Sequence, residues 1–439
     1  MLAEIGWMSM GLVDTLMVGP LGPAAIAATG MGSGVFTAIV IFGMGLMLGL
    51  DALVSRAAGA GRPDECVRWL HQGVVLAIGV APFVMLLTWG AFVTIDAWGI
   101  NPQIGALARP YLEVAALGAL PLLLYAAFRR YLQGIHVVRP IMYALVSANL
   151  VNAGANAILI YGRFGAPALG VTGSAWATVI ARMYMAAFLY VAIRREHRRQ
   201  GTARLRVPFA FDPGRMRRLI ALGAPAASQI TLEVGVFALA TALAATLDPV
   251  SSASHQIALN IVSVVFMVPL GLSSAGAVRV GHAVGARDIH RARRAGWTTL
   301  ALGGVVMTML GLVLFLFPLP MLRAFTTDAR VLDIGRRLLT IAAAFQLFDG
   351  TQAVATGVLR GVGDTRTPMV MNVLGHWVLG LPVGYALCFR FGWGVTGLWL
   401  GLSIGLAFCA ITLTATWIQR TRHVSLPPGA HPPELPELL

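Results

Sequence analysis

The chain has 439 residues, of which 57% are hydrophobic and only 11% charged, with a mean hydropathy of +0.77 and a formal net charge of +14. A soluble domain carries about 25% charged residues, so the composition excludes that class. Nucleic-acid binding is excluded by how the charge is distributed: every basic residue is arginine, and the arginines gather in alternate loops between apolar stretches.

Taken in chain order, the apolar stretches predict helical spans over 2–19, 24–55, 69–93, 106–128, 141–161, 171–193, 219–246, 251–278, 295–318, 331–358, 368–389 and 395–419. Residues 69–95, 249–278, 295–322, 367–389 and 391–419 contain no Asp, Glu, Lys or Arg. Each exceeds the roughly 20 apolar residues that cross a bilayer as a helix. The 50 glycines and 23 prolines, disruptive in soluble helices, are tolerated in membrane spans. The loops on the side shared by both termini hold 24 arginines and the other side holds 7, which predicts cytoplasmic termini.

Two copies of one pattern run through the chain. Leu21, Pro23, Ala27, Gly45, Leu46, Val54, Ala57, Gly59, Ala60 and Arg68 recur 226 residues later as Leu247, Pro249, Ala253, Gly271, Leu272, Val280, Ala283, Gly285, Ala286 and Arg294. Leu132, Gly134, Arg139, Arg163, Phe164 and Gly165 recur 227 residues later as Leu359, Gly361, Arg366, Arg390, Phe391 and Gly392, and Gly170-Val-Thr-Gly173 returns as Gly394-Val-Thr-Gly397. An even number of spans per copy gives the two halves the same orientation. The expected fold is therefore an all-α membrane protein of twelve transmembrane helices, in two six-helix lobes related by a pseudo-two-fold along the membrane normal. The lobes are expected at 1–193 and 219–424, joined by an arginine-rich cytoplasmic linker at 194–218 beside anionic headgroups. The Pro-rich tail 425–439 is expected to be disordered. Projecting the repeat backwards leaves Arg218–Ala226 without a counterpart, so the first span is expected to lack about nine residues at its start.

Cys66, Cys388 and Cys409 have neither metal nor disulfide spacing. Gly59-Ala-Gly61 and Gly285-Ala-Arg287 read as turns rather than phosphate loops, since no strand precedes them. Trp89, Trp98, Trp377, Trp393 and Trp399 lie toward span ends and read as interfacial anchors.

Ionisable groups inside spans are costly and mark ion or substrate pathways. Asp14, Asp51, Glu113, Arg182, Glu233 and Asp349 qualify. Asp14, Glu233 and Asp349 lie deep in their spans and break the internal symmetry, which suits function better than scaffold. Asn149, Asn152 and Asn156 form one polar stripe on the fifth span, either near Asp14 or acting as interhelical glue. Glu233 and Asp349 offer carboxylates for a monovalent cation or a proton, with His255, Gln256 and Asn260 as supporting polar groups. Asp51 lies near the cytoplasmic loop, with Arg56 an expected partner. Arg182 must find an acid, water or carbonyls.

These residues resemble the multidrug and toxic compound extrusion (MATE) transporters, the NorM-like branch in particular. The likeness rests on Met10-Gly-Leu-Val-Asp-Thr-Leu-Met-Val-Gly19, on Ser254-His-Gln-Ile-Ala-Leu-Asn260, on Arg279-Val-Gly-His-Ala-Val-Gly-Ala286 and on Gly357-Val-Leu-Arg-Gly-Val-Gly-Asp364. The resemblance implies two lobes around a central cavity and outward transport of cationic amphipathic compounds in exchange for Na⁺ or H⁺. It also implies no cofactor, a monomer in the inner membrane with lipid and small-molecule partners, and no enzymatic activity. It assigns Asp14, Asn152 and Asn156 to an N-lobe polar site, and Glu233 and Asp349 to cation coupling. Phe345 departs from the family, standing where NorM-like relatives often carry Tyr, so an oxygen ligand is lost there.

Three rivals make different demands. A flippase for a lipid-linked precursor would want a cavity richer in arginine. An intramembrane transferase would need clustered acids such as Asp-x-x-Asp, which the chain lacks. A passive channel would have little use for unique buried acids.

Overall fold

The computed structural model describes residues 2–95, 101–201 and 207–422, so Trp98 and the tail 425–439 lie outside the described residues, as does the stretch 202–206 of the expected linker. The described chain is helical, with no strand, and divides into two compact units, Met1–Ala227 and Ser228–Leu439.

The first unit holds α1 (Leu2–Val18), α2 (Pro23–Leu46) continuing after a break as α3 (Gly49–Gly59), α4 (Pro63–Thr94), α5 (Pro102–Leu117) bending by 46° into α6 (Ala119–Gly134), α7 (Arg139–Leu159) and α8 (Val171–Arg199). Helix α9 (Pro213–Ala245) begins there and continues into the second unit. The second unit adds α10 (Pro249–Gly285), α11 (Ile289–Leu316), the short α12 (Pro318–Arg323), α13 (Ala329–Gly361), α14 (Arg366–Asn372), α15 (Leu381–Tyr385) and α16 (Gly394–Arg422). Ten of these passes are long and apolar enough to cross a membrane, the bent α5–α6 pair makes an eleventh, and the apolar stretch Ser9–Leu21 accompanies the first helix. The twelve-span architecture stands, and the protein is a multi-pass membrane protein.

Helix starts follow local chemistry. Pro23, Pro63, Pro102 and Pro249 occupy first-turn positions, where the missing N–H costs nothing. Asn101 accepts from the Gln103 N–H, and Asp248 from those of Val250 and Ser251, capping α5 and α10.

The repeat is visible as repeated geometry. Gly170 and Gly394, which precede α8 and α16, both adopt φ +56°, a conformation that side chains resist. A Cβ on Gly134 would sit 2.6 Å from Val54, and one on the equivalent Gly361 2.9 Å from Val280, so the same glycine–valine contact closes each unit.

Between α14 and α16 the backbone widens into π-helical turns over Val373–Gly380 and again over Ala386–Arg390. This span packs on α16 through small residues: Gly375 against Gly405 and Cys409, Gly380 against Gly401 and Gly405, and Gly384 against Leu398 and Gly401.

Several expectations are corrected. Asp51, fully buried, pairs with Arg130 of α6 at 3.3 Å rather than with Arg56, because α3 turns its acid toward α6. Trp399 is 3% exposed and bonded inside the second unit, and Trp377 donates to the Leu232 carbonyl at 3.0 Å; neither indole sits as an interfacial anchor. Trp89 and Trp393 are exposed.

Helix α8 continues into the 194–218 segment as far as Arg199, and the stretch 210–215 lies on the first turns of α4. Gln72 donates to the Ala210 carbonyl at 2.8 Å and accepts from the Asp212 N–H at 3.3 Å. Arg215 grips both oxygens of Glu65, bonds Asp212 at 2.9 Å and stacks over Trp69 at 5.3 Å.

Candidate functional site

In the first unit α1, α7 and α8 bring three neutral donors onto one carboxylate. Asp14, 6% exposed, accepts at Oδ1 from Asn152 Nδ2 (3.0 Å) and Asn156 Nδ2 (2.7 Å), and at Oδ2 from Thr178 Oγ1 (2.7 Å). Asn156 also donates to Asn152 Oδ1 at 3.1 Å. Spacing on α7 explains the pairing: Asn152 and Asn156 are one turn apart on one face. Asn149, one turn before, donates instead to the carbonyls of Gly6 and Leu145, so it is the glue of the stripe. Thr178 escaped the sequence reading because a threonine inside an apolar helix is unremarkable. Its only sequence signal is its place one turn before Arg182.

A carboxylate held out of bulk water by neutral donors, with two helices closing on it, can bind and release one small cation or proton. The three donors satisfy the ionised form and leave lone pairs for the incoming species.

In the second unit Glu233 of α9 accepts at Oε1 from Gln352 Nε2 (3.3 Å) of α13, with Gln229 one turn before it on the same helix. Gln352 in turn donates to Asn372 Oδ1 (2.9 Å), and Asn372 to the Pro368 carbonyl (2.9 Å). Asp349, 5% exposed and one turn before Gln352, is close enough to Glu233 for their charges to act on one another. No protein hydrogen bond to the Asp349 carboxylate is present among the described residues. Two like charges drawn together away from water favour a proton or a cation between them. Gln352 and Asn372 were not singled out from sequence, since single amides give no periodic signal.

The supporting groups named on the eighth span are elsewhere. His255, 1% exposed, accepts from Trp399 Nε1 at Nδ1 (3.0 Å) and meets Thr241 Oγ1 at Nε2 (2.9 Å), which occupies both ring nitrogens. Gln256 and Asn260 lie on the exposed face of α10. Phe345 is buried and stacks against Trp399 at 5.9 Å, contributing no oxygen. With Phe237, His255 and Trp399 it borders a void of about 10 Å³, the space of one water. Glu113 is exposed on α5. Arg182 is buried, its guanidinium 4.3 Å over the Phe36 ring.

The MatE family model matches residues 1–158 and 225–386. The probable multidrug resistance protein NorM of Mesorhizobium japonicum is 35% identical over 428 residues, covering 96% of this chain and 92% of the relative. The multidrug resistance protein MdtK of Edwardsiella ictaluri is 33% identical, over 95% of this chain and 93% of its own. Among solved structures, the eukaryotic MATE transporter AtDTX14 superposes with a TM-score of 0.85 at 21% identity, covering 96% of this chain and 95% of its own. These matches, together with two buried acid sites on a twelve-span scaffold, make the chain a member of the MATE family, in its NorM-like branch.

Proposed function

We propose that this transporter is a secondary antiporter that exports cationic amphipathic compounds, drugs and toxins among them, in exchange for Na⁺ or H⁺. The observation that carries the reading is Asp14, a buried carboxylate held by three neutral donors from two other helices. Glu233 and Asp349 form the second coupling site, where a monovalent cation or a proton relieves the repulsion between them. Loading either site changes its local charge and hydrogen bonding, which shifts the protein between states with access to opposite sides. Coupling requires that ion and substrate prefer different states.

The names of the relatives, multidrug resistance proteins NorM and MdtK, support the substrate class. The arginine asymmetry supports an inner-membrane location with both termini in the cytoplasm. On this reading residues 1–193 and 219–424 act as lobes, 194–218 is a cytoplasmic linker, and a single chain suffices. The flippase reading gains no support from Arg182, whose guanidinium is already stacked on Phe36.

The test is uptake of a fluorescent organic cation into everted vesicles under separately imposed Na⁺ and proton gradients. Gradient-driven uptake identifies the ion. Uptake that ignores both gradients overturns antiport.

A further inference from the structure

Arg182 is a buried cation of the first unit that the coupling scheme leaves unused. It sits on α8 one turn beyond Thr178, which donates to Asp14, and it is 8% exposed. Its guanidinium lies 4.3 Å over Phe36 of α2, and its Nη1 has no hydrogen-bond partner among the described residues. The space for it is made by the bend between α5 and α6: a Cβ on Gly118, the residue at that bend, would lie 2.6 Å from Nη1. A side chain there would crowd the charged head. Arg182 follows Thr178 by one turn of α8, so it shares the helix face from which Thr178 donates to Asp14.

A buried guanidinium is expensive and persists where it has a charge to answer. Here it is not in ion-pair contact with Asp14, which is occupied by Asn152, Asn156 and Thr178. It therefore acts as a fixed positive charge near the acid rather than as a ligand that must be displaced before the acid can load. The groups facing Asp14 are Asn152 and Asn156 from α7, Thr178 and Arg182 from α8, and Tyr111 from α5 (α2 contributes no titratable side chain), so Arg182 is the sole cation among them.

We propose that Arg182 is a positioning residue for ion exchange at Asp14: seated in the notch at Gly118 and held by Phe36, it supplies the permanent counter-charge that sets the pH range over which Asp14 loads and releases. This rests on the antiport reading and assigns to the same site the element that tunes it.

The test uses the purified full chain in proteoliposomes, with the rate of organic-cation exchange followed against pH. Arg182→Gln keeps bulk and removes charge, and is expected to move the alkaline limb of the profile upward by about one pH unit. Arg182→Lys keeps the charge and restores most of the wild-type profile. Gly118→Ala retains the arginine but displaces its head from the notch, and is expected to shift the limb in the same direction as Arg182→Gln. A properly folded Arg182→Gln or Gly118→Ala protein whose limb does not move overturns the proposal and leaves Arg182 a packing residue. Proton uptake of the detergent-solubilised protein, taken as the difference from Asp14→Asn, reads the same shift without transport. If the wild type exchanges no cation, antiport fails while this titration still decides the role of Arg182.

Discussion

Replacing Asp14 by two different residues separates charge from packing. In Asp14→Asn the amide oxygen keeps the two bonds from Asn152 and Asn156, and its NH₂ faces Thr178, whose hydroxyl turns to accept instead of donate. All three contacts survive, and only the charge is lost. In Asp14→Leu the same three donors lose their acceptor inside the unit, at about 1–3 kcal/mol each. Asn156 retains one bond to Asn152, which leaves two donors unmet, so the gap between the two variants comes to roughly 2–6 kcal/mol. For a unit of this size the lower figure corresponds to a Tm difference of about 4–8 °C. The assay is thermal unfolding in detergent beside exchange in proteoliposomes. Asp14→Asn should unfold near the wild-type temperature with exchange abolished, and Asp14→Leu should unfold well below both. An Asn variant that still exchanges, or one as unstable as the Leu variant, would refute the reasoning.

Other consequences can be checked in the same preparations. Glu233→Gln retains a bond to Gln352 yet removes one of the two repelling charges, so it should keep its fold and lose at least tenfold in ion-driven exchange, read as the initial rate. Gly134→Leu and Gly361→Leu should each destabilise by about 1–3 kcal/mol, because both push into the matching valine of their own unit; equal Tm values for variant and wild type would contradict the shared packing. Arg215→Ala removes the bidentate grip on Glu65 and the contact with Trp69, and should speed protease cleavage between residues 207 and 212 several-fold without abolishing exchange.

Most of the architecture was legible because bilayer thickness and the repeat constrain it. Every span has its helix, with ends that run up to seven residues past the predicted limits, and proline at the first turn marks many of the starts. The internal breaks were only partly legible. The gap between α2 and α3 carries no proline and arises from packing, Gly49 against the Leu219 carbonyl, whereas the bend at Gly118 is marked in sequence by Pro121, whose missing N–H leaves the Leu117 carbonyl without its helical donor. Asp14 with Asn152 and Asn156 could be read from one acid and one polar stripe. Thr178, Gln352 and Asn372 are isolated polar residues on other helices, and only folding brings them to the acids. His255 lay close to Asn260 in sequence, but its ring is committed to Trp399 and Thr241.

The wide turns after Asn372 carry a consequence of their own. Along α16 the seam positions Gly397, Gly401, Gly405 and Cys409 fall at intervals of four, whereas the opposing contacts Gly375, Gly380, Gly384 and Cys388 include one interval of five. An ordinary helix would carry Gly380 about 100° out of line, and the added residue in the turn brings it back. The eleventh span thus contains one residue more than its zipper with α16 consumes, held as slack beside the buried His376 and Asn372. Removing a single residue between 376 and 379 would leave an unbroken four-by-four zipper, while a surplus that migrates along the span would rotate the side chains it passes without lengthening the helix or parting the two backbones.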